Sequence, residues 1–149
     1  FFQLTQGRIS LRRFLIYVTV QNAAAFFASL LVFVLFFDAV NEFDGGVRAV
    51  RGPRETASIW GTYPSPFLTV RGAIIDQIFC TMLLCIGVSS VSDKRNEIPS
   101  SWQPLHVSML LTLLGLCLNR NAAYAMNPAR DFAPRLMTSI VGYGWEPFS

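Results

Sequence analysis

Charge is absent from three long stretches of this chain. No Asp, Glu, Lys or Arg falls in residues 14–37, 77–92 or 102–119, runs of 24, 16 and 18 residues. A helix of a water-soluble protein carries polar or charged side chains on its outer face at almost every turn, and whole helix lengths here have none. Charged residues make up 14% of the 149 positions and hydrophobic ones 52%, where a soluble domain has about a quarter charged. This patterning argues against a soluble globular protein, a disordered chain and a nucleic-acid binder. The net charge of +3 builds no basic face, because the arginines sit in the connections between apolar runs. The chain reads as an all-α membrane protein.

The three cysteines, Cys80, Cys85 and Cys117, all lie inside apolar runs. A free thiol there behaves as a small hydrophobe, so no disulfide framework is expected. The chain opens on Phe1 without a methionine, a basic leader or a cleavage site, and it stops at Ser149 just after Gly142, Gly144 and Pro147. Both ends read as cut, and the expectation is a fragment without a signal peptide.

Residues 1–13 form a short amphipathic lead with Arg8, Arg12 and Arg13. The run 14–37 is long enough to cross a bilayer, which takes about 20 helical residues. Within it Ala24 pairs with Ala28 and Ala25 with Ser29 at helical spacing, which suits close helix packing in lipid. Gln21 and Asn22 interrupt the apolar face and serve either as interhelical hydrogen-bond glue or as pore lining. Residues 38–71 are a 34-residue connection with four acids and four bases. Gly45-Gly46, Gly52-Pro53 and Thr62-Tyr63-Pro64-Ser65-Pro66 mark it as a structured loop. A second span is expected over 72–92, with Asp76 near its start, then a polar turn over 92–101. A third is expected over 102–118, with Pro104 in its first turn. The count of Lys and Arg leans the short connections towards the cytoplasm.

The segment 122–142 is too broken for an ordinary span, yet apolar residues flank it on both sides. Asn127 fits a helix N-cap and Pro128 the first helical position, where its missing N–H loses no bond. A helix should therefore start inside the hydrophobic zone. Non-helical backbone at that depth is tolerated only where it is buried in protein or lines a water-filled cavity. The positive end of such a half-helix repels cations and protons. Arg130, three residues on, can reach the same cavity. A bare Asn-Pro-Ala is weak; the string from Met126 to Arg135, Met-Asn-Pro-Ala-Arg-Asp-Phe-Ala-Pro-Arg, following an uncharged span, is strong.

On that string the chain resembles the aquaglyceroporins, the glycerol-permeable branch of the aquaporin family. The string is similar to the second of the family's two Asn-Pro-Ala loops, and the Asp after Asn-Pro-Ala-Arg marks the glycerol branch. The resemblance covers nearly the whole chain. Thr62 to Pro66 looks like an extracellular loop, Asp76-Gln77 and Thr81 like the start of the fourth spanning helix, and Asp93 to Pro99 like a cytoplasmic loop. It implies an aquaporin-like helical bundle fragment, with spanning helices three, four and five over 14–37, 72–92 and 102–118 and one re-entrant half-helix from about 127. Helices one, two and six and most of the first half-helix would be missing from 1–149.

Carried residue by residue, the resemblance implies a passive channel for glycerol, other small uncharged solutes and water. Asn127 would donate its amide N–H to passing oxygens, with its own carbonyl capping the half-helix. Arg130 would be the cation of a narrow filter and Tyr124 its flanking aromatic. Gly115 stands where water-selective relatives place a His, which widens the filter. Carbonyls of Ala122, Ala123, Tyr124 and Ala125 would line one wall opposite apolar side chains, an arrangement suited to a polyol. Asp131 would be a half-helix acid near the pore, Pro128 and Ala129 would support the re-entrant loop, and Gln77 would brace its backbone. The resemblance further implies a homotetramer of the full-length protein in the plasma membrane, with the lipid bilayer as partner. Two departures stand out: the family usually has Gly where this chain has Asn119 and Ala123, and Gly tolerates backbone that Ala mostly does not. Arg120 is a third, in place of a usually apolar or aromatic residue.

Other readings of the same residues stay open. A truncated, non-conducting protein could pair with full-length subunits, and broken half-helices recur in transporters. Asp76 fits capping or snorkelling better than proton relay. His106 fits a packing histidine better than a pH sensor. No metal spacing, nucleophile elbow or glycine-rich phosphate loop is present, so no enzyme activity, cofactor, metal or nucleic-acid partner is expected.

Overall fold

The computed structural model describes all 149 residues, and its regular elements are helical throughout, with no strand. In chain order the α-helices are α1 (Phe2–Thr5), α2 (Leu11–Leu35), α3 (Phe37–Asp44), α4 (Val70–Ser92), α5 (Gln103–Ala122) and α6 (Pro128–Thr138). Short tight turns of helix lie at Ala57–Ile59, Lys94–Asn96 and Glu146–Phe148, and a wide one at Ser139–Tyr143. The chain divides into two compact units, one of Phe1–Gly61 with Asn127–Ser149 and one of Thr62–Met126. Two helices, α2 and α4, are long and apolar enough to cross a membrane. The 20 residues of α5 are helical too, but Gln103, His106, Asn119, Arg120 and Asn121 near its ends make it less apolar than those two.

In the first unit, α2 starts at Leu11 because Ser10 caps it, its Oγ accepting from Arg13 N at 3.4 Å. That is three residues before the uncharged run begins. The helix stops at Leu35, where Phe36 (φ −104°, ψ 15°) leaves helical geometry. Residues 37–44, read from sequence as the end of a span and the start of a loop, form α3 instead. Asp38 in its first turn suits the helix dipole, and left-handed Gly45 (φ 69°) closes it. Further on, α6 packs along α2. Its buried Ala129, Ala133 and Met137 recur every four residues, and α2 offers buried Ser29 and Phe33 at the same spacing. Small side chains on both helices let the backbones approach. The Asn22 side chain folds back along α2, its Nδ2 donating to Val18 O at 2.8 Å.

In the second unit, Thr69 caps α4 by accepting from Gly72 N at 3.1 Å, which moves the start to Val70. The packing of α4 on α5 turns on a knob in a hole: a Cβ built on Gly87 would overlap Leu110 Cδ2 and come within 2.9 Å of its Cδ1. Past residue 118, α5 runs on to Ala122. Ser65 takes up two carbonyls of its last turn, which a helix end otherwise leaves without partners. Its N–H donates to Asn121 O at 2.9 Å and its Oγ to Arg120 O at 2.6 Å. Outside these contacts the long helices present apolar side chains outward, among them Leu31 and Val34 on α2 and Ile75, Ile78 and Ile86 on α4. Exposed apolar area of this extent calls for lipid or further protein around it.

Candidate functional site

The residues singled out in the sequence fall into two sets, one in each unit. Those of the second unit gather at the end of α5. There the backbone leaves the helix through three non-glycine residues in left-handed geometry, Ala123 (φ 50°), Tyr124 (φ 39°) and Met126 (φ 46°). Each such residue costs about 1–2 kcal/mol, so the surrounding structure has to hold the segment in place. Position 123 is therefore a true glycine site occupied by alanine. Asn119 raises no such difficulty, because it lies inside α5.

Gln77 supplies much of the holding. Its Nε2 donates to Ala122 O at 3.1 Å and its Oε1 accepts from Met126 N at 3.1 Å, so one side chain grips both ends of the strained segment. The two bonds also fix which way the amide faces. One of the two lone-pair sites of the Ala122 carbonyl is thereby used. Beside it, Asn121 Nδ2 donates to Asp76 Oδ1 at 2.9 Å. Asp76 is thus tied to the end of α5. The Tyr124 ring lies over Gly115: a Cβ there would meet Cζ at 3.1 Å and Oη at 3.3 Å. Gly115 is thus the point where α5 lets an aromatic ring approach its backbone.

The first unit carries the second set, at the start of α6. Asn127 is extended (φ −134°, ψ 108°), Pro128 opens the helix, and Asn127 Oδ1 accepts from Ala129 N at 3.0 Å. With the oxygen committed to the cap, the Nδ2 amide is the end that faces away. Ala129 is buried against α2, whereas Arg130 is exposed. Asp131 belongs to an ion pair: its Oδ1 lies 3.1 Å from Arg135 Nη2 and its Oδ2 accepts from Nε at 3.2 Å. Arg135 also donates from Nη1 to Pro147 O at 2.5 Å, which ties α6 to the turn at Glu146–Phe148.

One cluster escaped the sequence reading altogether. Asp44, with no exposed side-chain area, takes Arg48 Nη1 at 2.6 Å, Gly46 N at 2.8 Å and Thr56 Oγ1 at 3.2 Å. Arg48 Nη2 donates to Asn41 Oδ1 at 2.6 Å, and its guanidinium covers the rings of Phe33 (5.2 Å) and Phe37 (5.6 Å). Thr56 Oγ1 meets the Tyr143 hydroxyl at 2.7 Å. Burial alone would raise the Asp44 carboxyl, but the Arg48 hydrogen bond and charge, the Gly46 N–H and the Thr56 hydroxyl together hold it below the usual carboxylate value. The spacing of Asp44 and Arg48 was a local signal; the link from Thr56 to Tyr143, 87 residues away, had none.

Residues 1–148 match the family model described as Major intrinsic protein. The chain is 48% identical over 145 residues to Aquaporin-4 of Milnesium tardigradum, covering 96% of this chain and 42% of that protein. It is 44% identical over 144 residues to Aquaporin-2 of the same animal, covering 96% and 45%. Against Aquaporin-10 of Homo sapiens the identity is 42% over 144 residues, covering 96% and 48%. The chain spans about half the length of the curated relatives it matches.

Proposed function

The chain belongs to the major intrinsic protein family, whose members are integral membrane channels and not enzymes, and on that premise we propose that it forms part of the wall of a passive channel for water and small uncharged solutes, glycerol among them. In this reading α2, α4 and α5 span the bilayer and α6 is a re-entrant half-helix. The observation that carries it is the cap of α6. Asn127 Oδ1 is bound to Ala129 N, so its Nδ2–H group is the one presented to a passing oxygen, at the positive end of a helix that Pro128 starts. A hydroxyl or water oxygen is welcomed there; a cation is repelled.

Arg130 then supplies the charge of the filter, Tyr124 its aromatic, and Gly115 the missing side chain that lets the Tyr124 ring lie back against α5 and leave room for a carbon skeleton. The carbonyls of Ala122, Ala123, Tyr124 and Ala125 act as acceptors along the wall, with Gln77, Pro128 and Ala129 supporting the backbone. Asp131 acts by orienting Arg135 in α6. Glycerol permeability rests on Gly115 and on the Asn-Pro-Ala-Arg-Asp string; assembly as a homotetramer and residence in the plasma membrane follow from the resemblance. The test replaces Asn127 by Asp in a full-length chimera in which this chain takes the place of the matching segment of a relative. Conversion of the donor amide to a carboxylate should abolish glycerol flux in proteoliposomes. Unchanged flux at equal protein content would remove Asn127 from the pore.

A further inference from the structure

Asp76 has no part in the channel as described so far. It is a carboxylate in a helix whose other residues, apart from Arg71 near the start, are uncharged. A group of that kind is kept in such surroundings only with partners. Its Oδ1 accepts from Asn121 Nδ2 at 2.9 Å, its Oδ2 takes a longer approach from Gln77 Nε2 at 3.4 Å, and Cys80 Sγ lies 3.9 Å from the same oxygen. Two side-chain amides thus direct their N–H groups at one carboxylate, which offers acceptors only. An amide at position 76 would satisfy one and meet the other donor to donor.

Both amides bear on the end of α5. Gln77 grips Ala122 O and Met126 N, and Asn121 stands in the last turn, its side chain held by Asp76 and its backbone carbonyl capped by Ser65 N. Asp76 and Gln77, consecutive on α4, therefore hold Asn121 and Ala122, consecutive on α5, just before the backbone turns left-handed at Ala123. We propose that Asp76 is a positioning residue: through Asn121 and Gln77 it sets the register of the 122–126 backbone and, with it, the solute selectivity of the wall. The second half of that statement rests on the channel reading; the first does not.

The test uses the same full-length chimera with Asp76→Asn, and the exchanged pair Asp76→Asn with Asn121→Asp. In the exchanged pair, the new amide at 76 donates to the new carboxylate at 121 and still accepts from Gln77. Two quantities are read: hydrogen exchange at the Met126 amide, and the ratio of glycerol to water permeability at equal protein content. Asp76→Asn should speed Met126 exchange by about tenfold or more, the loss expected when a charged hydrogen bond goes, and should lower the permeability ratio. The exchanged pair should return both to the parent values. Unchanged exchange in Asp76→Asn overturns the proposal, as does faster exchange that the exchanged pair leaves uncorrected. Restored exchange with a permeability ratio that never moved overturns the selectivity half alone. Restored exchange in a chimera that passes no solute upholds the positioning role and rejects the channel reading. If Asp76→Asn does not fold, a folded exchanged pair with parent exchange supports the proposal, and an unfolded one overturns it.

Discussion

Gly115→His brings together the filter assignment and the packing at the end of α5. A Cβ alone at this position would lie 3.1 Å from Tyr124 Cζ and 3.4 Å from Cε2. Gly115→Ala therefore needs only a few tenths of an ångström from the ring. It also gains about 1 kcal/mol of helix propensity in the middle of α5. Histidine puts a whole imidazole beyond that Cβ, into the volume the tyrosine ring occupies. The Tyr124 backbone is already left-handed (φ 39°), so relief has to come from its side-chain torsions. A displacement of about 30° off rotamer costs roughly 0.5–1.5 kcal/mol, well within reach. The imidazole takes the ring's place against α5, and the displaced tyrosine narrows the aperture. Size discrimination of this kind amounts to about 1–3 kcal/mol, or roughly 10–200-fold. Glycerol permeability should fall by about tenfold or more while water permeability falls less, and Gly115→Ala should stay close to the parent in both. Light-scattering stopped flow on proteoliposomes holding the full-length chimera measures the two fluxes on one preparation. A parallel fall in water and glycerol, or an equal loss in Gly115→Ala, would show that the aperture is not set at Gly115.

Three other sites give outcomes of their own. Gln77→Leu leaves Ala122 O and Met126 N without their partner, at about 1–3 kcal/mol each; thermal unfolding in detergent should shift down, and an unchanged Tm would mean the strained segment is held elsewhere. The Asp44 carboxyl is held below 3.8 in the folded state, so its contribution is fully present above that pH and is lost as pH falls through the lower folded value. The melting temperature should drop on acidification below 3.8, and Asp44→Asn should flatten that limb; the same acid slope in both proteins would exclude Asp44 as its source. Gly87→Ala forces a methyl into Leu110, an overpacking cost of about 1–3 kcal/mol. Pairing it with Leu110→Ala should recover part of the loss, and no recovery would place the clash elsewhere.

The long helices were legible because lipid-compatible runs exclude charge, a signal summed over twenty or so positions. Their ends were less so, since they depend on single caps. Ser10 extends α2 back to Leu11, and Ser65, some 55 residues upstream in sequence, completes the last turn of α5. The short α3 was missed because 37–44 mixes apolar and acidic residues in a pattern that equally suits a loop. Asn127 and Pro128 were readable as a helix start because both act within one turn. By contrast, the left-handed turn at Ala123, Tyr124 and Met126 has none of the glycines that announce such geometry. The side chain that holds it, Gln77, lies 49 residues before Met126, so only the resemblance pointed to it. The Asp44 cluster needed the fold itself, because Tyr143 arrives from the far end of the chain.

Reconstitution decides whether this chain builds a passive solute channel. The full-length chimera, purified and placed in liposomes, is exposed to an osmotic step of glycerol with a pH-sensitive dye inside. A channel wall of the kind proposed gives glycerol and water flux well above empty liposomes, rising linearly with the glycerol gradient, with no change in internal pH. Flux indistinguishable from empty liposomes at equal protein content, or glycerol entry that carries protons with it, would contradict it.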